Sequence, residues 1–517
     1  MKNPEHADCI LIHVPKLLEY DSLLGWNSKV NFIAMGMYSL VEELTNKGFS
    51  SHIVNLAAEK TLNPLFSIAN HVKYFEAPVA AFSLHWHPQT YDSIEAARQV
   101  KEDNPAVFIV FGGYTSSYFA KDILENYPFI DAVIRGEGEK PLSELVKKVL
   151  AKDSDLSEVP NLVWRNNEGS IIENSITFIA NEEDINSWNF SAIDKVKNFT
   201  TYVNLQWMLP WEKAARVLFN QRPTPTIFGI CFGRGCPGTC TWCGGSYKTI
   251  KNITGRCNTV WRSPEKIKET LETILHKFKI NNFYVCFDPS PENQTYLESV
   301  FEELGKITPK IKLDFECFGL PTEGFIESFQ KNLHPESLIL LSPEIANEEL
   351  RKKHRAFYFS NAQMEEILDI LEEKKIKTQL YFTFGLPDET MKDIKSTHKY
   401  QKNLKKKYKC ITKNFFFPVE MEPGAPWFEN PDKFEIKLKR KTIADFHRVH
   451  SEKTMSLGYE TKHFSEKKIL KIRQKYFGYS IKQMIFFMLI RFILRLTMFK
   501  QKDINLKQIR NHRINAN

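Results

Sequence analysis

Short, unbroken apolar runs recur through the first 150 residues, at 8–14 (DCILIHV), 51–55, 78–84, 106–111 and 132–135. Runs of that length without polar interruption predict strands buried on both faces. Between them the apolar positions fall three and four apart, at 31–48, at 94–102 and again from Pro141, which predicts helices, with Gly48 placed to end the first. Strands alternating with helices predict a parallel, doubly wound sheet. The alternation resumes after residue 225. Strands are predicted at 226–231, 282–288, 311–318, 337–342, 378–384 and 414–420, and helices at 264–277, 293–304 and 361–374, with Ser360 placed to cap the last of these. Residues 151–221 connect the two halves and hold a predicted hairpin over 161–175 that turns at Asn167-Glu168-Gly169. From 426 to 517 the pattern becomes helical and charged, with a predicted helix at 437–458 and a basic tail.

Composition changes this picture little. The chain is 42% hydrophobic and 26% charged, as in ordinary folded proteins, and 517 residues allow roughly two to four domains. Charge is more informative. The net charge is +8, but residues 465–517 alone carry thirteen Lys and Arg against two acids, or +11, which leaves −3 for the rest. The basic character is thus read as a property of the tail, and a nucleic-acid partner is not expected. Within that tail, 484–496 (MIFFMLIRFILRL) is apolar and aromatic, but thirteen residues broken by two arginines are too few to span a bilayer. Residues 484–500 are expected either to cap a folded domain or to contact a membrane peripherally. The opening residues lack a charged stretch followed by an apolar one and a small-residue cleavage site, so the expected setting is cytoplasmic.

In open α/β sheets, ligands sit beyond the carboxyl ends of the strands. Three unusual loops fall there: Ser83, His85 and Gln89 after the third strand, Gly112-Gly113-Tyr114-Thr115 after the fourth, and Gly136-Glu137-Gly138-Glu139 after the fifth. Glycine in such loops lets the backbone approach a flat ligand closely. The second half holds the sharper signal. In 226–246 (TIFGICFGRGCPGTCTWCGGS) an apolar strand leads into a Gly- and Pro-rich loop with Cys236, Cys240 and Cys243, three of the nine cysteines within eight positions. Iron–sulfur clusters are held by cysteine thiolates, and three closely spaced cysteines leave one iron of a four-iron cube open. Structural zinc would want a second ligand pair soon after, and only the unpaired Cys257 follows. A ferredoxin-like carrier would want a fourth nearby cysteine, for which only Cys231 and Cys257 are available. A non-enzymatic iron–sulfur or zinc protein is therefore kept as the alternative of another class.

Cys236-Pro-Gly-Thr-Cys240-Thr-Trp242-Cys243 resembles the radical SAM enzymes, whose third cysteine also follows an aromatic residue. Gly36, Ser83, Gly112-Gly113 and Gly136 to Glu139 resemble the cobalamin-binding domain that precedes the catalytic barrel in many of them, and Gly385-Leu386-Pro387-Asp388-Glu389-Thr390 resembles a run common in their barrels. The resemblance implies a Rossmann-like cobalamin-binding domain at 1–150 and a partial (β/α)6 TIM-type barrel at 222–425. It implies a 4Fe–4S cluster on Cys236, Cys240 and Cys243, which carry the catalysis. S-adenosylmethionine would meet Trp242, Asp288, Glu316, Glu344 and Gly385, and cobalamin would meet the three loops after the third, fourth and fifth strands. The usual Gly-Gly-Glu is absent beside Asp288, and the chain has no Asp-x-His-x-x-Gly to supply a lower cobalt ligand; His85 and His87 stand nearest that role. The implied activity is reductive cleavage of S-adenosylmethionine followed by methylation of an unactivated carbon, with a non-methylating rearrangement, cyclisation or carbon–carbon coupling as the alternative. The implied partners are a small-molecule or lipid substrate and an electron donor such as flavodoxin or ferredoxin.

Overall fold

The computed structural model describes residues 6–21, 25–205, 227–285, 293–451, 456–477 and Leu489. The first half is a seven-stranded sheet built from β1 (Cys9–His13), β2 (Ser51–Asn55), β3 (Val79–Ser83), β4 (Phe108–Gly112), β5 (Ala132–Ile134), β6 (Leu162–Arg165) and β7 (Ile171–Glu173). Their order is β2-β1-β3-β4-β5-β6-β7. The first five are parallel, in the expected doubly wound form, and every residue of β1 is buried because helices cover both faces. The hairpin expected in the connection is not free-standing: β6 and β7 pair antiparallel onto β5 and extend the sheet. That pairing satisfies the backbone groups an edge strand would leave open. Helices α1 (Gly36–Asn46), α2 (Thr90–Asp103), α3 (Tyr114–Tyr118) and α4 (Glu139–Leu150) belong to this half.

The second half is a six-stranded parallel sheet in sequential order, β8 (Ile227–Ile230), β9 (Asn282–Val285), β10 (Lys312–Cys317), β11 (Leu338–Glu344), β12 (Lys377–Phe384) and β13 (Ile411–Pro418). It is the partial barrel, with its helices at the predicted places: Pro264–Phe278, Gln294–Leu304 and α5 (Asn361–Glu373). Ser360 caps the last, accepting from Gln363 N while the Gln363 side chain accepts from Ser360 N. Strand periodicity sorts the side chains. Phe315 of β10 packs outward on Phe301 and Phe325 of the helices, whereas Glu316 faces the barrel interior, where it accepts from the Tyr284 hydroxyl at 2.8 Å.

The C-terminal part ties the halves together. Helix α7 (Ile443–Ser451) lies on α2, and Ile443 N donates to Asp122. The helix expected over 437–458 is interrupted: Ile436–Leu438 is a strand, paired antiparallel with Tyr459–Thr461, and among the described residues of that stretch 443–451 are helical. Edge pairing there outweighs the helical spacing of its charged residues. Helix α8 (Glu466–Phe477) packs on β13 through Tyr476 and Phe416. The 484–500 stretch, apart from Leu489, lies outside the described residues. No helix among the described residues is long and apolar enough to cross a membrane.

Candidate active site between the two sheets

The cysteine loop leaves β8 at its carboxyl end, the face on which barrel sites are built. Each thiol accepts a backbone amide: Cys236 Sγ from Gly238 N, Cys240 Sγ from Ala356 N and Cys243 Sγ from Gly245 N, all at 3.3 Å. The loop is held from outside. Thr241 N donates to His354 O at 2.9 Å, and Trp427 N donates to Thr241 O at 3.0 Å. Gly244 N donates to the Glu422 carboxylate, and a side chain at Gly244 would meet that carboxylate at 2.9 Å. Gly235 takes φ +93, where an added Cβ would lie 2.7 Å from Asn258 O, so only glycine fits. Burial, then the nearby Glu422 and Cys240, push the Cys243 thiol well up. Burial also raises Cys240, against the Ala356 amide and the Arg355 guanidinium. No three His, Cys, Asp or Glu side chains among the described residues converge as a single-ion site. Three soft thiols, each with an amide donor to its sulfur, fit the ligand set and outer-shell hydrogen bonding of an iron–sulfur cluster.

Around this loop stand the barrel-rim acids. Glu316 accepts from Tyr284 and, at 3.3 Å, from Ser342; burial raises its pKa. Glu344 sits at φ +62, a conformation that costs a non-glycine residue about 1–2 kcal/mol, at a bulge between β11 and β12. Burial pushes its carboxyl up to about 7, with Arg355 opposing. Arg351 is fully buried and ties the following loop by donating to Pro343 O, Ile345 O and Phe359 O. At Gly385 the backbone N donates to Glu389, the carbonyl lies 2.8 Å from the Tyr459 hydroxyl, and φ is +91. Trp242 is half-buried beside Cys243, and Asp288 lies outside the described residues.

The first sheet presents its own carboxyl edge. Its parallel order 2-1-3-4-5 places the topological switch between β1 and β3. The loops after β3 and β4 press together: Thr115 N and Oγ1 donate to His85 O, and a Cβ at Gly113 (φ +105) would lie 2.9 Å from the His85 backbone. Around Gly36 and Gly112 a Cβ would meet nothing within 4 Å. That open glycine-lined edge fits a broad flat ligand such as a corrin. The half-buried His85 ring packs edge-on to Trp86 at 4.5 Å and to Tyr114 at 5.4 Å, and burial brings its pKa to about 4. Burial, and then the nearness of Cys243 and Cys236, raise the Tyr114 phenol. The helix that Tyr114 opens, α3, packs on the helix 247–254 that follows the cysteine loop. Ser83 ends β3 opposite Gly112. Gln89 is fully buried, bonded to Trp86 N and Val14 O. His87 turns away from this edge, to His450 at 3.0 Å.

The fifth-strand loop does something the sequence did not disclose. Glu137 and Glu139 bind arginines of the barrel half. Arg234, two residues before Cys236, donates to Glu137 at 3.0 Å, to both oxygens of Glu139, and to Ser39 at 3.2 Å. Arg256 donates to Glu137 through Nε at 2.7 Å. Ser39 donates to Glu139 at 2.6 Å. Gly136 (φ +70) meets Thr254 so closely that a Cβ would lie 2.9 Å from its Cα, while Gly138 has room. Gly136 to Glu139, read in the sequence as a ligand loop, thus form a buried ionic seam that fixes the cysteine loop against the first sheet. Arg234, Arg256 and Arg355 were missed, since nothing in their spacing marks them.

The family described as the Radical SAM superfamily matches residues 230–400, and the B12 binding domain matches residues 23–146. The anaerobic magnesium-protoporphyrin IX monomethyl ester cyclase of Rubrivivax gelatinosus is 24% identical over 332 residues, covering 60% of this chain and 52% of that protein. The hopanoid C-3 methylase of Methylococcus capsulatus is 27% identical, covering 46% of this chain and 40% of that protein. The matches thus span about half the length of these relatives or less. The structure of the radical S-adenosylmethionine methyltransferase TsrM from Kitasatospora setae, with cobalamin and a 4Fe–4S cluster bound, superposes with a TM-score of 0.61 at 13% identity, covering 86% of this chain and 81% of that one. At that identity the likeness concerns the fold.

Proposed function

Because this chain carries a B12-binding domain followed by a radical SAM domain, and so belongs to the cobalamin-binding radical SAM proteins, we propose that it methylates an unactivated carbon of a small-molecule or lipid substrate. The carrying observation is that α3, at the carboxyl edge of the first sheet, packs on the helix 247–254 that follows the cysteine loop, while Arg234 and Arg256 on either side of that loop bind Glu137 of the first sheet. With a 4Fe–4S cluster, S-adenosylmethionine and cobalamin bound, these groups supply hydrogen-atom abstraction and a transferable methyl group. The chain's residues do the rest. Cys236, Cys240 and Cys243 hold the cluster. Glu316, Glu344, Gly385 and Trp242 orient S-adenosylmethionine. Ser83, His85, Gly112, Gly113, Tyr114 and Thr115 cradle cobalamin, in a unit that runs through the β7 hairpin. The ionic seam closes the space between the sheets and excludes water from it. The reductant is a one-electron donor such as flavodoxin or ferredoxin, and 484–500 makes a peripheral membrane contact. The cyclase relative favours a second reading, cyclisation without methyl transfer.

The test is anaerobic reconstitution with iron, sulfide and hydroxocobalamin, followed by metal analysis and visible spectroscopy. Four irons and one cobalt per chain are expected, with the cluster lost in Cys240→Ala. Iron without cobalt would sink methylcobalamin chemistry, and zinc without iron would sink the whole proposal. Release of S-adenosylhomocysteine then marks methyl transfer, whereas 5′-deoxyadenosine alone marks cyclisation.

A further inference from the structure

Helix α6 (Met391–Lys407) covers β12 and β13 on the outside of the barrel, far in sequence from the cysteine loop. It buries Ile394, Thr397, Gln401 and Leu404. Along its open side run Lys395, Lys399, Lys402 and Lys406, all exposed. Their spacing of four, three and four puts them on one face, a line about 16 Å long at 1.5 Å per residue. Lys475 of α8 faces them, and the groove between the two helices holds about 710 Å³, with His398 in its wall. Burial and then the charges of Lys402 and Lys475 lower the His398 pKa. Among the described residues none of these five lysines forms an ion pair, although Lys407 of the same helix reaches Glu365 at 2.8 Å. Like charges one turn apart disfavour a helix, so this arrangement is a cost to the isolated protein that a polyanion outside it would offset.

We propose that this groove is a docking surface for an anionic lipid bilayer. Three features select that occupant. The charges are spread in a line, which matches an extended surface better than one small anion. They are lysines, point charges suited to a diffuse negative potential, rather than arginines suited to bidentate pairing with a carboxylate. And the sequence after α8 runs, beyond the six residues 478–483, into MIFFMLIRFILRL at 484–496, an apolar stretch that carries two arginines. The inference agrees with the membrane contact proposed for 484–500 and stands whether or not the enzymatic reading does.

The experiment uses the full chain and co-sedimentation with vesicles of phosphatidylcholine alone or mixed with phosphatidylserine. Binding to the mixed vesicles, weakened by salt, is expected. Each lysine near an anionic surface contributes about fivefold, so Lys399→Gln/Lys402→Gln lowers partitioning roughly thirtyfold. Both positions are exposed, and an unchanged thermal transition of the variant shows that it folds. Equal binding of variant and parent, or equal binding to the two kinds of vesicle, would overturn the proposal. So would loss of vesicle binding with lysine-dependent capture on heparin or by an acidic protein, which would assign the groove to another polyanion.

Discussion

Arg234→Met breaks the seam between the halves at its centre. The change keeps volume and removes one guanidinium that serves two carboxylates. Glu137 retains Arg256. Glu139 does not: its side chain is 2% exposed and is left with no cation, keeping the Ser39 hydroxyl and a backbone amide. Stranding one partner of a buried ion pair costs about 3–5 kcal/mol. Arg234 is itself 20% exposed, so the lower end applies, about 3 kcal/mol, or more than a hundredfold in the opening equilibrium. Hydrogen exchange at the amides of 136–139 reads that opening without assuming that the whole chain unfolds in one step. Adding Glu139→Gln to Arg234→Met removes the stranded charge and recovers much of the loss, the coupling expected of residues in one network. Lys140→Met, which removes an exposed pair with Asp184, is the surface control and costs under about 1 kcal/mol. pH gives a second check. Burial alone would raise the Glu139 carboxyl, but Arg234 and Ser39 outweigh it and hold it below its ordinary value. A depressed acid contributes stability above its unfolded pKa of about 4.3, and that contribution is lost as pH falls through the folded value. The parent seam therefore loosens in acid below about pH 4, and Arg234→Met lacks that limb. If Arg234→Met opens the seam no more than Lys140→Met does, charge pairing does not hold the halves together.

Gly113→Ala forces a residue with a Cβ into φ +105, ψ 175, a region that costs about 1–3 kcal/mol, and against the His85 backbone; cobalamin uptake, followed by the visible spectrum, falls, and unchanged uptake would refute the cradle. Glu344→Gln changes the pH dependence of the apo-protein. Because the folded pKa is raised to about 7, the parent's contribution is full below the ordinary glutamate value and is lost as pH rises through about 7; the variant's denaturant midpoint stays flat across that window, and a parent that is equally flat would refute it. Tyr459→Phe leaves the buried carbonyls of Gly385 and Val419 without the hydroxyl 2.8 and 3.1 Å away and lowers thermal stability by about 1–3 kcal/mol; no change would show that Gly385 is held by Glu389 alone.

What the sequence disclosed and what it hid divide by range. Every parallel strand of both sheets was legible, because an apolar run bounded by turn residues is a local signal. So were the cysteines, whose chemistry is written in eight consecutive positions. The hairpin at 161–175 was legible as a hairpin but not as an extension of the sheet, because edge pairing depends on which strand end lies open. The seam was illegible. Arg234 and Glu137 are 97 residues apart and Arg256 and Glu137 are 119 apart, and an isolated arginine carries no period. Gly-Glu-Gly-Glu looked like ligand contacts because glycine signals close approach without saying to what, and here Gly136 approaches Thr254.

The lysine line shows a different failure. Its spacing was in view, yet averaging the charge over the body to −3 concealed it, since acids elsewhere on the barrel cancel it in the sum. Potential at a surface depends on where charges stand, not on their total. The two features hidden from the sequence, one buried and neutralised, the other exposed and uncompensated, stand near the first and the last strands of the same sheet. The seam fixes the cysteine loop to the first sheet, whereas among the described residues Lys395, Lys399, Lys402 and Lys406 of the groove have no ion-pair partner. A chain that matches its charges so closely at Arg234 and Arg256, and among the described residues leaves the groove face of α6 unmatched, has the second arrangement available for a partner.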